Sequence, residues 1–371
     1  MKPPYDPTWK RLVAAALLAT IPVSAQIAKG ATKYLGNLSG GLSVPANYGT
    51  YWNRIVPENG GKWASVEGTR DRMTWTGLDV VVTFARKEGM PWTFHTLLWG
   101  SAYPSWMSAI PKDTLKAEIE EWFTLAGTRY PDADLVVVVN EPNVQHAPPT
   151  LFLNALGGKG TTGYDGMIEA FHLARKAFPN AKLILNDYNT IEYGKDHDTC
   201  LAMVRALLAA KAPIDGIGIQ AHEAYKRPLD TVRKYLDTLA ATGLPLHITE
   251  FDIALSNDTL QDSAMRSIFP LFWNHPRVAG VTLWGYEVGK TWREGTGLIR
   301  ADGTERPALV WLKDYVKAHP NPPGPAPISK VRPQAPWKTI AMWEIRMREG
   351  TPVVGLERGG HFLSLHDLLS R

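Results

Sequence analysis

The apolar positions of this chain fall into short, nearly continuous runs that alternate with longer stretches of mixed character. The run Leu-Val-Val-Val-Val at 135–139 is one example, and it is rich in β-branched residues. Such runs are typical of strands that are buried on both faces of a parallel sheet. We predict eight of these strands, at residues 33–36, 54–58, 92–99, 135–141, 182–187, 216–222, 246–252 and 280–285.

The stretches between the strands show the apolar spacing of amphipathic helices. We predict helices at residues 77–88, 114–129, 167–178, 199–210, 229–241, 260–273 and 307–318. Strands that alternate with helices indicate an α/β protein whose parallel sheet closes into a (β/α)8, or TIM, barrel. The alternative is an open doubly wound sheet. That fold usually carries a glycine-rich phosphate loop after its first strand, and this chain has none there.

Two of the predicted strands end on glutamates. Glu141 follows four valines as Asn-Glu-Pro, and Glu250 follows a second apolar run as Thr-Glu-Phe-Asp. Functional groups of a parallel barrel collect at the carboxyl ends of its strands, so we expect both side chains at one mouth. Two facing carboxylates are the minimum equipment for cleaving a glycosidic bond. The alternative reading, two ordinary solvated glutamates, fits a lone residue better than it fits this pair.

The residues next to the two glutamates suit such chemistry. Asp252 lies two positions beyond Glu250, so both side chains project to the same side of the strand. His222 ends the neighbouring predicted strand, where an imidazole can hydrogen-bond a carboxylate and keep it ionised. An acid partner must instead stay protonated, so its pKa has to be raised by burial or by nearby negative charge.

Composition narrows the class of function. The 371 residues suffice for one barrel with appendages, and 44% of them are apolar. The net charge is only +4, and no basic stripe is present, which argues against nucleic acid as a partner. Several of the 14 tryptophans fall at predicted strand ends, where flat rings could stack on sugars. The single cysteine, Cys200, lies in an apolar helical pattern and is expected to be a packing residue.

The two ends of the chain fall outside the predicted barrel. Lys10 and Arg11 precede an apolar stretch and a small-residue site, Val23-Ser24-Ala25, so we interpret residues 1–26 as a signal peptide. An amphipathic first helix is the alternative. The barrel would occupy residues 27–319, followed by a proline-rich linker at 320–327 and an extension of open role at 328–371. We therefore expect a secreted, periplasmic or cell-surface protein without a membrane span after signal removal.

Motifs along most of the chain resemble those of the family 10 glycoside hydrolases, the endo-1,4-β-xylanases. Asn140-Glu141-Pro142 is similar to the acid/base motif of that family, and residues 248–252 are similar to its nucleophile motif. Further similar stretches occur in the order of the family, at residues 57–63, 95–99, 104–106, 185–189, 216–222, 282–285 and 291–293. The resemblance runs from about residue 33 to residue 318.

The resemblance implies a role for each matching residue. Glu141 would be the general acid/base and Glu250 the nucleophile, with Asp252 supporting them without touching the substrate. The implied substrate-binding residues are Glu58, Asn59, Lys62, His95, Trp99, Asn140, Tyr188, Gln220, His222, Trp284 and Trp292.

Within the implied binding set, five groups of residues can be distinguished by role. Glu58, Asn59 and Lys62 would bind sugar hydroxyls on the glycone side, and His95 with Trp99 would wall the reacting sugar. Asn140, Gln220 and His222 would orient the carboxylates or bind the 2-hydroxyl. Trp284 and Trp292 would form an apolar floor, and Tyr188 would lie on the aglycone side.

Two features depart from the family pattern or loosen it. Many family members have His-Ser-Gln after the tryptophan of the third strand, whereas this chain has Gly100-Ser101-Ala102. Catalysis should survive this change, but glycone binding or tolerance of decorated chains is expected to differ. The pair Gly60-Gly61 is expected to loosen the loop that holds Lys62.

The reaction expected from the resemblance is retaining, endo-acting hydrolysis of xylan. The two carboxyl groups should then lie roughly 5–5.5 Å apart. We expect no cofactor and no metal, with xylan and xylo-oligosaccharides as partners of a monomer. Three alternatives stay open: another barrel β-glycanase acting on glucan or mannan, a non-catalytic carbohydrate-binding protein, and a binding or attachment role for the extension.

Overall fold

The computed structural model describes residues 26–324 and the backbone of three further strands between residues 344 and 364. The predicted signal peptide lies outside the described residues except for Gln26. Residues 325–327 of the predicted linker also lie outside them. By contacts the chain divides into two compact units, Met1–Ile328 and Ser329–Arg371.

Nine short strands build one parallel sheet in the first unit. They are β1 Tyr34–Ser39, β2 Arg54–Pro57, β3 Thr93–Phe94, β4 Leu98–Trp99, β5 Leu135–Asn140, β6 Lys182–Asp187, β7 Gly216–Ile219, β8 Leu246–Phe251 and β9 Val278–Leu283. Their order is β2-β1-β9-β8-β7-β6-β5-β3, with β4 also on β5. A parallel bridge from Ile55 to Trp92 joins β2 to the start of β3 and nearly closes the ring. The predicted (β/α)8 barrel is therefore confirmed.

The third strand of the barrel is interrupted. The single continuous strand predicted at residues 92–99 is wrong, because two short strands, β3 and β4, occupy this segment. β3 and β4 both pair with β5, but the chain between them leaves the ladder. The amide of Leu97 and the hydroxyl of Thr96 both donate to the carbonyl of Val137, at 3.0 and 2.9 Å. β5 shifts register just beyond Val137, which matches this break.

Helices surround the sheet, and the seven predicted ones are confirmed with small shifts of their ends. The helices are α1 Tyr48–Tyr51, α2 Trp63–Val66, α3 Thr76–Lys87, α4 Lys112–Arg129, α5 Thr150–Ala155, α6 Asp165–Ala177, α7 Gly194–Ala209, α8 Leu229–Ala240, α9 Asp258–Asn274 and α10 Pro307–Ala318. Prediction missed α1, α2 and α5, because helices of four to six residues are too short to show a period. Within the described part of the chain, no helix combines the length and apolarity needed to cross a membrane.

Several tryptophans pack in the protein interior rather than at the barrel mouth. The ring of Trp122 stacks on Trp63 at 5.2 Å and on Trp75 at 5.6 Å between centroids. Trp63 is buried, and Trp106 is partly buried against the same core. Cys200 is buried in the core as well. The high tryptophan count therefore reflects packing as well as the site described below.

In the second unit, the described residues form an antiparallel sheet of three strands. β10 Glu344–Arg348 pairs with β11 Thr351–Arg358, and β11 pairs with β12 His361–Ser364. The antiparallel pairing distinguishes this sheet from the parallel sheet of the first unit.

Candidate active site

Glu141 is the first residue after β5, and its backbone has the left-handed φ of 52°. A side-chain-bearing residue pays of order 1–3 kcal/mol for such a conformation, which persists only where neighbouring contacts enforce it. Here the Glu141 amide donates to the carbonyl of Asn186 at 2.8 Å. The indole of Trp99 donates to Glu141 Oε2 at 2.8 Å, and the amide of Gln220 donates to Oε1 at 3.1 Å. Neutral donors thus hold both carboxyl oxygens.

Burial raises the pKa of Glu141, and the negative charge of Glu250 raises it further. The hydrogen bonds from Gln220 and Trp99 act in the opposite direction but do not cancel these effects. A carboxyl group with a raised pKa keeps its proton to higher pH than an ordinary glutamate does. This property suits a general acid.

Glu250 lies in β8 and is buried, with 5% of its surface exposed. Asn186 Nδ2 donates to Glu250 Oε1 at 2.8 Å, and His222 Nε2 lies 3.5 Å from Oε2. Burial alone would raise the pKa of Glu250, but hydrogen bonding with His222 and with Asn186, together with the charge of His222, lowers it below its ordinary value. Glu250 is therefore ionised at neutral pH, as a nucleophile has to be.

His222 carries the positive charge that stabilises Glu250. Its Nδ1 lies 3.2 Å from Asp252 Oδ1, so the imidazole sits between two carboxylates. Burial would lower the pKa of His222, but hydrogen bonding and charge interactions with Asp252 and Glu250 raise it to about 10. The expectation that His222 and Asp252 accompany Glu250 agrees with this geometry.

Asn186 on β6 forms hydrogen bonds with residues of both β5, which leads to Glu141, and β8, which carries Glu250. No role was predicted for it from the sequence. Its Nδ2 donates to Asn140 Oδ1 at 2.7 Å as well as to Glu250, and its Oδ1 accepts from Thr249 Oγ1 at 2.6 Å. A Cβ at Gly218 on β7 would collide with Asn186 Oδ1, so this strand needs a glycine there. The sequence signal was present, because Asn186 lies at the polar end of an apolar strand.

Lys62 and Trp99 lie together on the side of Glu141. Lys62 Nζ donates to Asn59 Oδ1 at 2.9 Å and lies 4.7 Å from the centre of the Trp99 ring. Burial lowers the pKa of Lys62, while the charges of Glu250 and Glu58 oppose that shift. Burial raises the pKa of Glu58. Glu58 and Lys62 therefore share one electrostatic neighbourhood with Glu141 and Glu250.

The expected loosening of the Lys62 loop by Gly60 and Gly61 is wrong. A Cβ at Gly61 would lie 2.5 Å from the carbonyl oxygen of His95, and a Cβ at Gly60 would lie 2.7 Å from the carbonyl carbon of Gly77. These glycines let the loop pack directly against neighbouring backbone. They fix the loop rather than free it.

Two further rings, those of His95 and Trp284, line the mouth beside Trp99. The His95 ring centre lies 6.5 Å from that of Trp99 and 5.4 Å from that of Trp284, which is buried against Leu38 and Val56. Burial lowers the pKa of His95 to about 4, so its imidazole is neutral at neutral pH. A neutral imidazole can donate one hydrogen bond and accept another, as sugar hydroxyls require.

Trp292 and Tyr188 complete the predicted set. Trp292 is 49% exposed, its indole donates to Asp252 Oδ2 at 2.7 Å, and its ring lies 4.8 Å from His222. Tyr188 follows β6, and the charge of Glu141 is among the causes that raise its pKa, after burial. All of the predicted site residues are thus linked by contacts or charge interactions around Glu141 and Glu250.

The departure from the family pattern at Gly100, where many members have histidine, has a structural reason. The amide of Gly100 donates to the carbonyl of Ala147 at 3.1 Å. A Cβ at this position would lie 2.5 Å from that oxygen and would collide with the carbonyl of Pro148. The loop that follows Glu141, residues 143–149, therefore packs where a side chain at position 100 would stand.

Gly100→Ala is expected to lower the free energy of unfolding by about 1–3 kcal/mol, the usual cost of overpacking. Urea denaturation would measure it. Gly68→Ala is the matched control, because its added Cβ meets its nearest atom at an ordinary 3.7 Å. Equal stability of the two variants would contradict the tight packing of the 143–149 loop.

The described residues contain one group of three carboxylates close enough to share a metal ion, Glu67, Asp71 and Glu118. The carboxylates of Glu67 and Glu118 already have partners. Glu67 accepts from the Trp63 indole at 2.7 Å and from the Asp71 amide at 2.8 Å, and Arg70 pairs with Glu118. The group lies on or beside α2 and α4 rather than at the strand ends that carry Glu141 and Glu250.

Comparison with known proteins agrees with this fold and shows the family of the chain. Residues 23–317 match the model of Glycosyl hydrolase family 10. The chain is 40% identical over 283 residues to Endo-1,4-beta-xylanase B of Cellvibrio japonicus (strain Ueda107). The aligned region covers 76% of this chain but only 45% of that relative. The chain thus spans less than half the length of this relative.

Solved structures share the fold at lower identity. Native xylanase 10B of Thermotoga maritima superposes with a TM-score of 0.71 at 24% identity, covering 79% of this chain and 97% of that one. Xylanase 10B of Thermotoga petrophila RKU-1 in complex with xylobiose gives 0.70 at 24% identity, covering 79% and 96%. With the family match over most of its length, this chain belongs to glycosyl hydrolase family 10.

Proposed function

We propose that this protein is a retaining endo-1,4-β-xylanase that hydrolyses internal β-1,4 bonds of xylan. The observation that carries the proposal is the unequal surroundings of the two glutamates, since burial raises the pKa of Glu141, whereas contacts with His222 and Asn186 lower that of Glu250. A pair of carboxyl groups whose pKa values are pushed apart divides into an acid and a nucleophile. The names of the xylanase relatives support xylan as the substrate.

In the proposed first step, Glu250 attacks the anomeric carbon while Glu141 gives its proton to the leaving glycosidic oxygen. The bond to the leaving sugar breaks as a covalent glycosyl-enzyme forms on Glu250. In the second step Glu141, now ionised, takes a proton from water, and that water displaces Glu250 from the sugar. Asn186 and His222, which contact Glu250, hold it in place through both steps.

The remaining site residues would bind the sugar chain. Glu58, Asn59 and Lys62 offer charged and amide groups to hydroxyls on the glycone side, where Lys62 contacts both Asn59 and the Trp99 ring. Trp284 and Trp292 supply an apolar floor, and Tyr188, near Glu141, would contact the leaving sugar. The xylobiose complex of a structural neighbour supports xylo-oligosaccharides as ligands.

Release of reducing sugar from xylan, carboxymethyl-cellulose and mannan tests the proposal. We expect hydrolysis of xylan to exceed that of the other two polymers, with short xylo-oligosaccharides as early products. Preference for carboxymethyl-cellulose or mannan would favour the other β-glycanases, which share the Asn-Glu-Pro motif. Binding of xylan without hydrolysis of any polymer would favour a non-catalytic carbohydrate-binding protein.

We also propose that residues 1–26 direct export, so that the enzyme meets its polymeric substrate outside the cytoplasm. The support is the charged start, apolar stretch and small-residue site within these residues. N-terminal sequencing of the protein from its native host tests this, and a mature chain that still begins at Met1 would contradict it.

A further inference from the structure

The geometry points to His146 as a positioning residue that holds Tyr188 in place beside the leaving sugar. This inference rests on the proposed function, because it concerns the leaving-group side of the same site. His146 lies in the 143–149 loop, five residues after Glu141, and Tyr188 lies directly after β6. The two residues therefore connect the loop of the acid/base to the next strand of the barrel.

His146 is held by two carboxylates. Its Nδ1 lies 2.6 Å from Asp187 Oδ1, and its Nε2 lies 3.5 Å from Asp196 Oδ1. Only 4% of its side chain is exposed. Burial would lower the pKa of His146, but the hydrogen bond and charge of Asp187, with the charge of Asp196, raise it above its ordinary value. The imidazole is thus fixed in position and biased toward its charged form.

The same carboxylates fix the loop that carries His146. The amide of Asn143 donates to Asp187 Oδ2 at 3.1 Å, and Asn143 Nδ2 donates to Asp196 Oδ1 at 2.9 Å. On its opposite side the loop contacts Gly100 through the carbonyls of residues 147 and 148. His146 is therefore part of a loop that is anchored at both ends.

The imidazole of His146 stacks on the phenol of Tyr188, with ring centres 3.6 Å apart and an angle of 18° between the planes. Asp187 also accepts from the Tyr188 amide at 2.9 Å, so one carboxylate positions both partners of the stack. Among the described residues, the Tyr188 hydroxyl has no hydrogen-bond partner. The ring of Tyr188 is therefore oriented by His146, and a partly charged imidazole adds a cation–π attraction.

Two substrates separate this role from a general structural one. Xylotetraose places sugars on both sides of the cleaved bond, whereas β-xylobiosyl fluoride has a single atom as its leaving group and cannot contact Tyr188. We expect His146→Ala to lower kcat/KM for xylotetraose by about 2- to 12-fold, which is the fold-change that corresponds to the interaction energy of one aromatic pair. The value for the fluoride should stay at the wild-type level.

Two further variants sharpen the comparison. His146→Phe keeps a ring for Tyr188 to stack on and should recover part of the loss on xylotetraose. His172→Ala removes an exposed histidine of α6 and should match wild type on both substrates. Losses of equal size on the two substrates, or no loss on xylotetraose, would overturn the inference. A wild-type protein inactive on both substrates would instead overturn the proposed function, and this inference with it.

Discussion

Glu250→Gln is expected to lower the turnover of xylan by on the order of 10⁴-fold or more, while xylo-oligosaccharides still bind. The amide has nearly the size of the carboxylate, so the contact with Asn186 can persist. It cannot attack the anomeric carbon, and no other carboxylate among the described site residues combines a hydrogen bond from Asn186 with an ion pair to His222. Reducing-sugar release and calorimetric titration with xylotriose would measure the two effects separately.

Glu120→Gln is the matched control for that variant. Glu120 is an exposed residue of α4 whose ion pair is with Lys116 at 3.7 Å, so its neutralisation should leave hydrolysis unchanged. Substantial residual turnover by Glu250→Gln would contradict the assignment of the nucleophile. Loss of oligosaccharide binding together with turnover would indicate that the substitution damages the site as a whole.

Glu141→Gln is expected to lower kcat/KM for xylan by roughly 10²- to 10⁴-fold, the usual contribution of a general acid or base. Attack on β-xylobiosyl fluoride should be reduced far less, because fluoride leaves without needing a proton. The second step still needs a base, so a burst of fluoride followed by a slow steady state is the expected time course.

The pH profile gives a second signature of Glu141. The acid must be protonated, so kcat/KM for xylan should fall as pH rises through the pKa of Glu141. That pKa is raised by burial, so the wild-type enzyme should stay active to higher pH than an ordinary glutamate would allow. In Glu141→Gln this fall of kcat/KM at high pH should disappear. An unchanged fall at high pH would assign the role of the acid to another group.

Local patterns in the sequence were enough to predict the barrel and its two glutamates. Alternating strands and helices are visible as periods within short windows, and a polar residue at the end of an apolar strand marks the barrel mouth. Glu141, Glu250 and His222 were found in this way. The resemblance to a family then added residues such as Lys62 and Trp284, which no periodicity would single out.

The features that prediction missed depend on segments that meet only in the folded chain. The break between β3 and β4 follows from hydrogen bonds of residues 96 and 97 to Val137. The hydrogen bonds of Asn186 join residues of three strands, and the stack of His146 on Tyr188 joins residues of two loops. Gly61 was expected to loosen a loop because a backbone contact with His95 has no local signal in the sequence.

The stereochemistry of the first product tests the central claim most directly. If Glu250 traps the sugar covalently, two inversions occur at the anomeric carbon, and proton NMR of a fresh xylotetraose digest should show the β-anomer first. The carboxyl groups of Glu141 and Glu250 should then lie about 5–5.5 Å apart in a crystal structure. First appearance of the α-anomer would mean a single displacement by water, and the roles assigned to the two glutamates would be wrong.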